Sequence, residues 1–407
     1  MAETLIVKIV GIGIDQKLKR SKHKIALATR PGSNLENLQG QTPLLNRQNR
    51  LTRPLKLNNI QVKRLIGSGY LAHKETEHFA QKSMESFRSV GKIYYTVLAV
   101  IGVPVNLVAI AILSQGKCGL SKCTTLYLVA MATADLMYII SGVILLRINS
   151  YYCPGSFLNI TPVCSVIIVL SYAATEWSVW FTVVFSFDRF VAICWQKLKI
   201  KYCTENTAAV VLVTTGILIC LKDIPFYFTF EPAELRNNVP WFCYERQTYF
   251  TDPAWVGFDW FDKVLTPLLP YALILLLNTL TVRYILVTSQ VRNGLRAQSK
   301  GENRTDPKME SRRKSMILLF TISGTFIVLW LAYVTDFIFY NILGIHPEHY
   351  NDVFYIFSEV ALLLLSLNCC TNAFIYGVTQ SKFREQLKNA VKYTAVTIIQ
   401  LTKKQNN

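Results

Sequence analysis

Seven long apolar stretches dominate this chain, at about residues 91–114, 124–147, 164–193, 208–230, 260–288, 314–341 and 350–378. A helix needs about 20 mostly apolar residues to cross roughly 30 Å of hydrocarbon. Each stretch is long enough, and each is continuous rather than alternating. A membrane barrel would show shorter strands of alternating polarity, and hydrocarbon admits little besides helices and closed barrels. A large soluble protein with buried helices is the competing reading, but it has no need of seven full-length spans in succession. Composition agrees: 17% of the 407 residues are charged, against about 25% in a soluble domain. The expected fold is an all-α membrane protein, a seven-transmembrane helix bundle over residues 91–380.

Charge sets the expected orientation. The linker Ser289–Lys314 between spans five and six carries Arg292, Arg296, Lys300, Arg304, Lys308, Arg312, Arg313 and Lys314. The linkers after spans one and three and the C-terminal tail are also basic, whereas the linker after span four holds Glu231, Glu234, Glu245, Asp252 and Asp259. The positive-inside rule then puts the C-terminus in the cytoplasm and the N-terminus outside, as in a multi-pass protein of the plasma membrane. The net charge of +18 follows from topology, and no nucleic-acid partner is implied. Residues 1–90 are basic and are read as a disordered N-terminal segment; a targeting segment is the alternative. Their apolar run Leu5–Ile14 is broken by Lys8 and makes a poor signal peptide. Residues 381–407 begin with Ser381-Lys382-Phe383-Arg384, which reads as a short amphipathic eighth helix on the inner bilayer surface, followed by a tail.

Two of the ten cysteines stand out. Cys164 begins span three and Cys243 lies in the acidic linker, both expected on the oxidising side. A bridge between them would pin the linker over the helix ends and contribute roughly 2–4 kcal/mol; the alternative is two free thiols. Asn159-Ile-Thr161 is a candidate outer glycosylation sequon.

A charge at mid-bilayer costs about 2.5–3.5 kcal/mol on insertion scales, so each raises a functional question. Asp135 lies in the middle of span two, with Asn106, Ser178, Asn368 and Asn372 at similar depth in other spans. If these meet, they suit a small hard cation such as sodium, or a water-filled hydrogen-bond network; the alternative is five separately satisfied side chains. Span three ends in Asp188-Arg189-Phe190, an ion pair that serves either as a membrane-edge anchor or as a switch. Arg189 follows Cys164 by twenty-five residues. Phe326 and Trp330 share one face of span six, a spacing common in plain core packing.

In order along the chain these residues resemble the rhodopsin-like G-protein-coupled receptors: Gly102-Val-Pro-Val-Asn106, Leu128 with Ala134-Asp135, Cys164, Asp188-Arg189-Phe190, Pro270, Phe326 with Trp330, Asn372 with Tyr376, and Phe383-Arg384. Finer details, including Ile93-Tyr-Tyr, Ile224-Pro-Phe-Tyr and Leu277-Asn278, look like the orphan branch that includes G-protein coupled receptor 139. The resemblance implies a Cys164–Cys243 disulfide. It implies a sodium and water site at Asn106, Asp135, Ser178, Asn368 and Asn372. Asp188, Arg189 and Tyr376 would form the coupling switch, with Trp330 at the floor of a ligand pocket. The implied partners are a heterotrimeric G protein, an extracellular ligand, the lipid bilayer and arrestin. No cofactor is implied beyond an allosteric sodium ion.

The chain departs from the pattern at its moving parts. Ala332 stands where the family has a proline, so span six should kink less. Ala373 replaces another proline, Asn278 a tyrosine, and the basic start of span six offers no acid to Arg189.

Candidate ligand contacts in the outer half are Arg147, Ser171, Tyr172, Glu176 and Lys263, with Trp330, Tyr333, Asp336 and Glu359 from the last two spans. The plain alternative is that these acids and bases pair with one another. Ser171 stands where amine receptors carry an aspartate, so an aminergic ligand is not expected. Mixed acids and bases among aromatics suit a peptide or an aromatic amino acid. No Ser/His/Asp or metal constellation converges in the membrane, so an enzyme is not expected. A transporter would show internal repeats, and none is visible. A silent, receptor-like decoy or scaffold would keep the fold and lose the switch.

Overall fold

The structure is a computed structural model, and it describes residues 88–298, 307–343 and 353–405. The expected N-terminal segment lies outside these residues except for 88–90, which form the first turn of the first helix. The middle of the basic linker between spans five and six also lies outside them.

Seven helices are long and apolar enough to cross a membrane: α1 Arg88–Ser114, α2 Lys122–Tyr152, α3 Thr161–Cys194, α4 Glu205–Thr229, α5 Pro253–Gln290, α6 Ser315–Phe337 and α7 Phe354–Thr379. The chain is a multi-pass membrane protein. An eighth helix, α8, runs from Ser381 to Gln405. It is longer than the short helix expected, because no glycine or proline interrupts residues 382–405.

Local chemistry fixes the helix starts. Ser121 caps α2 by accepting from Thr124 N, and Thr204 caps α4 through Thr207 N. Asp252 accepts from Ala254 N and Pro253 opens α5. This cap starts α5 seven residues before the apolar run at 260. At the other end of the bundle, Arg384 Nη1 donates to Gly377 O (3.1 Å) and Val378 O (2.7 Å), closing α7 and turning the chain into α8. α6 is continuous past Ala332 and loosens into a wide π-type turn only at Ile338–Ile342.

α3 is the hub. It packs against α2, α4, α5 and α6, and 61% of its apolar window is buried, against 22% for α4. α1 joins the bundle through Tyr95, Leu98 and Ala99, which pack on Ile139 and Val143 of α2 and on Cys369 and Cys370 of α7. Gly102 is required at that crossing: a Cβ there would lie 2.6 Å from both Cys370 Sγ and Ile139 Cδ1. Trp177 on α3 donates from Nε1 to Gly216 O of α4 at 3.2 Å, a polar tie between the two helices.

The acidic linker between α4 and α5 is folded, which the sequence reading did not anticipate. β1 (Phe230–Glu231) pairs antiparallel with β4 (Tyr244–Glu245), and β2 (Glu234–Arg236) with β3 (Val239–Trp241). Asn237 and Asn238 make the β2–β3 turn at φ 52° and 61°, a left-handed pair that asparagine tolerates better than most residues. The Cys164–Cys243 disulfide fixes this cap to the start of α3. Thr161 Oγ1 donates to Phe242 O at 2.7 Å and Phe242 N to Asn159 O at 2.6 Å, tightening the same seam.

Candidate functional site

The Cys164 end of the bundle holds a dense set of charged side chains. Glu176 projects from α3, Lys222 and Asp223 from the last turns of α4, and Asp262 from α5. Lys222 Nζ lies 2.8 Å from Glu176 Oε1 and 2.6 Å from Asp223 Oδ1, and it also pairs with Asp262. Glu176 and Asp223 are buried. Neighbouring aromatics wall the cluster: Phe226 faces the Lys222 ammonium at 5.4 Å and meets Tyr172 edge-on at 5.3 Å. Tyr172 in turn lies within electrostatic reach of Asp262, Tyr333 and Arg147.

The other candidate contacts surround this centre. Trp330 is buried, stacks on Phe326 at 5.1 Å and meets Tyr333 edge-on at 5.7 Å. Its Nε1 is buried with no hydrogen-bond partner. Ser171 is buried where α2 comes closest, since a Cβ on Gly142 would sit 2.6 Å from its Oγ. Lys263 pairs with Asp259 at 2.6 Å and donates to Asn341 Oδ1 at 3.1 Å. Asp336 accepts from Ser358 Oγ. Arg147 lies 5.7 Å from the Tyr95 ring, with Glu359 in electrostatic range. The reading that acids and bases pair with each other thus holds for Glu176 and Lys263, though not with each other.

Lys222, Asp223 and Asp262 were missed as site residues. The signal was present: Lys222-Asp223 is a charged pair inside an apolar span. The cap also uses Asn159 differently from the glycan acceptor expected. That side chain is buried; its Nδ2 donates to Pro154 O (2.8 Å) and Cys153 O (3.3 Å), and its Oδ1 accepts from Asn149 at 3.0 Å. In the folded cap the Asn159 side chain serves as a structural tie.

At mid-bundle the structure brings three helices together on Asp135, which is wholly buried. Ser178 Oγ donates to Oδ1 at 2.6 Å and Asn372 Nδ2 to Oδ2 at 2.9 Å. Asn106 is buried nearby in sequence register but donates to Gly102 O (2.9 Å) and Cys369 O (2.8 Å), not to Asp135, and its Oδ1 is buried without a partner. Asn368 is buried and likewise does not bond Asp135. Two of the four expected neighbours therefore engage the carboxylate directly.

At the Arg189 end, Arg189 pairs with Asp188 of its own helix, and its Nη1 donates to Ser315 Oγ of α6 at 3.2 Å. Ser315 stands in for the acid that the basic start of α6 lacks. Cys123 Sγ of α2 donates to Asp188 Oδ1 at 3.3 Å, and Cys203 Sγ to Asp188 O at 3.6 Å. Burial, aided by Asp188, pushes the Cys203 thiol up to about 12, so it stays a neutral donor. Tyr376 is fully buried, with its hydroxyl 3.5 Å from Leu128 O and its ring against Phe383 at 6.2 Å. Between α5 and α6, Ser323 Oγ donates to Asn278 Oδ1 at 2.9 Å, a tie built on the residue that replaces the family tyrosine.

Residues 105–376 match the family described as 7 transmembrane receptor (rhodopsin family). The chain belongs to that family. This rhodopsin-family receptor is similar to cysteinyl leukotriene receptor 1 of Sus scrofa, at 22% identity over 69% of this chain and 78% of the relative. It is similar to neuropeptide receptor 22 of Caenorhabditis elegans at 25% identity, covering 72% of this chain and 67% of that one. C-C chemokine receptor type 8 of Mus musculus matches at 24% identity over 72% and 77%. The receptor is a G-protein-coupled receptor, a class of transducers rather than of enzymes.

Proposed function

We propose that this receptor sits in the plasma membrane with the Cys164 end outside, binds a peptide or an aromatic amino acid there, and activates a heterotrimeric G protein at the Arg189 end. The observation that carries this reading is the latch at Arg189. It is held by Asp188 within α3 and by Ser315 across to α6. A single neutral hydrogen bond contributes only about 0.5–1.5 kcal/mol, or up to about 3 when one partner is charged. Such a bond restrains α6 without locking it. Release of Ser315 would let α6 swing outward and free the arginine for the G protein. Trp195, Ile200 and Tyr202 stand exposed beside the latch, as an apolar surface awaiting a protein partner does; arrestin would share it.

Ligand peptides are consistent with the neuropeptide and chemokine names among the relatives. The aromatic amino acid comes from the finer likeness to the orphan branch. Glu176, Tyr172, Tyr333 and Trp330 would contact the ligand, with Arg147, Ser171, Lys263, Asp336 and Glu359 around them. An agonist must bind the active arrangement better than the resting one, by about 5.5 kcal/mol to turn a 1:99 population into 99:1. Asp135 and Ser178 supply oxygens for a sodium ion, and the partnerless Asn106 Oδ1 offers another. Such an ion would neutralise the buried carboxylate and favour the resting bundle.

A silent receptor-like scaffold is favoured by one observation: α6 carries Ala332 where the family has a proline and continues as one α-helix to Phe337. The deciding experiment is G-protein activation in cells, basal and with a screen of peptides and aromatic amino acids, beside Arg189→Ala at matched surface level. Signal that vanishes in the variant supports a working receptor. Absence of basal and evoked coupling to every G-protein family would leave the scaffold.

A further inference from the structure

We propose that Glu176, Asp223 and Asp262 form a cage for the primary ammonium group of an organic ligand, and that Lys222 is its resident occupant in the ligand-free receptor. This rests on the reading above that ligand enters at the Cys164 end, and it adds the one chemical group that ligand must carry.

One carboxylate oxygen from each of the three acids lies within 4.8 Å of the other two. That spacing fits a single small cation. Lys222 Nζ occupies it, donating to Glu176 Oε1 and to Asp262 and lying 2.6 Å from Asp223 Oδ1 as an ion pair without a hydrogen bond, so one of its three N–H donors is not matched to the third acid. The cage holds an ammonium, R–NH3+, but one lysine does not satisfy it. Among the described residues, Glu176 Oε2 and both Asp223 carboxylate oxygens are buried and accept no hydrogen bond, in residues that are 3% and 0% exposed. Three carboxyl groups face one ammonium, and because uncompensated buried charge is strongly unfavourable, the acids beyond the first are balanced either by taking up protons or by a second cation.

The surroundings select an organic ammonium over a metal ion. A divalent ion would have to expel Lys222 from the centre of the cage. An ammonium on an aromatic or aliphatic stem instead gains the ring face of Phe226, which already lies 5.4 Å from the lysine charge. Phe258 extends that wall at 5.0 Å from Phe226. Asp262 is the open edge, with 20% of its side chain exposed. An incoming ammonium displaces Lys222 from the Glu176 and Asp262 oxygens, and Lys222 keeps Asp223, its neighbour in the chain. The missing acid at Ser171 thus excludes only the usual amine contact; the acids that receive an amine stand lower on α3 and across on α4 and α5. A peptide amino group, a lysine side chain and a free amino acid all satisfy the requirement.

The test uses the purified full-length receptor and three probes of one shape: phenethylamine, phenethyl alcohol and hydrocinnamate, at equal ionic strength up to millimolar concentration. Phenethylamine should raise the melting temperature saturably, and the neutral and anionic probes should not. Asp262→Asn, at the partly exposed edge, should weaken the apparent affinity for phenethylamine by about tenfold or more, as loss of a charged hydrogen bond does. Glu176→Gln supplies the same comparison should Asp262→Asn fail to fold. An equal shift with the alcohol, no shift with phenethylamine, or affinity unchanged in the variants would overturn the cage. Loss of the receptor reading itself would appear elsewhere, as absence of Arg189-dependent signalling.

Discussion

At the Arg189 end of α3, one acid and one base meet within a single helix, and among the described residues their other hydrogen-bond partners are neutral: Ser315, Cys123 and Cys203. Near the Cys164 end, three acids from three helices crowd one lysine, and among the described residues three of their carboxylate oxygens are left without hydrogen bonds. The first arrangement is complete in itself and is held to α6 by one hydrogen bond. The second is incomplete and spans α3, α4 and α5. On the proposed reading, a group that completes the second would change how those helices pack. A latch as light as the first yields to small changes in packing. The proposed function then implies an order of events, in which charge compensation at one end would precede release at the other.

The largest effect should come from removing the frame of the incomplete end. Cys243→Ser breaks the disulfide that fixes the folded linker to α3 and should cost roughly 2–4 kcal/mol. Thermal denaturation of the purified receptor should show a clearly lower midpoint, with fewer receptors at the cell surface. An unchanged midpoint would mean that the hairpins and the Thr161–Phe242 seam hold the cap alone.

A smaller effect is expected between the two ends. Ser323→Ala deletes the donor to Asn278 that ties α6 to α5, at about 1 kcal/mol, or roughly fivefold in a two-state ratio. Basal G-protein activation should rise by up to that factor. A fall would show that the tie belongs to the active arrangement.

The smallest effect concerns pH at the cap. Burial holds the Glu245 carboxyl above the usual carboxylate range; Asp259 adds to the shift and Lys263 opposes it. A carboxyl raised in the folded state favours folding while protonated, so its contribution is present at low pH and is lost as pH rises through the folded value. The melting temperature should drift downward over that rise, and Glu245→Gln should flatten the drift. An identical slope in both proteins would remove Glu245 as its source.

Much of the bundle was legible because a span must be long and apolar wherever it occurs. All seven were placed, with errors at polar starts such as Asp252-Pro253, where the helix begins before the hydrocarbon does. Asp135 with Ser178 and Asn372 was legible as a cluster because few polar residues tolerate that depth. Ser315 was not, since a serine at the start of a helix carries no signature and its value depends on where Arg189 lies. The hairpins of the linker were hidden in a stretch too polar for the membrane and too short for clear alternation. Lys222-Asp223 was visible and was passed over, because its partners Glu176 and Asp262 come from helices distant in sequence.

The most direct test of the order of events is a pair of substitutions made singly and together, read by basal and agonist-evoked G-protein activation at matched surface level. Ser315→Ala should raise basal activity by loosening the latch, and Glu176→Gln should lose the evoked response. The double variant should keep the raised basal activity of Ser315→Ala and remain blind to agonist. Basal activity that returned to the wild-type level in the double variant would contradict the account, because the incomplete charge cluster would then act on the resting latch itself rather than ahead of it.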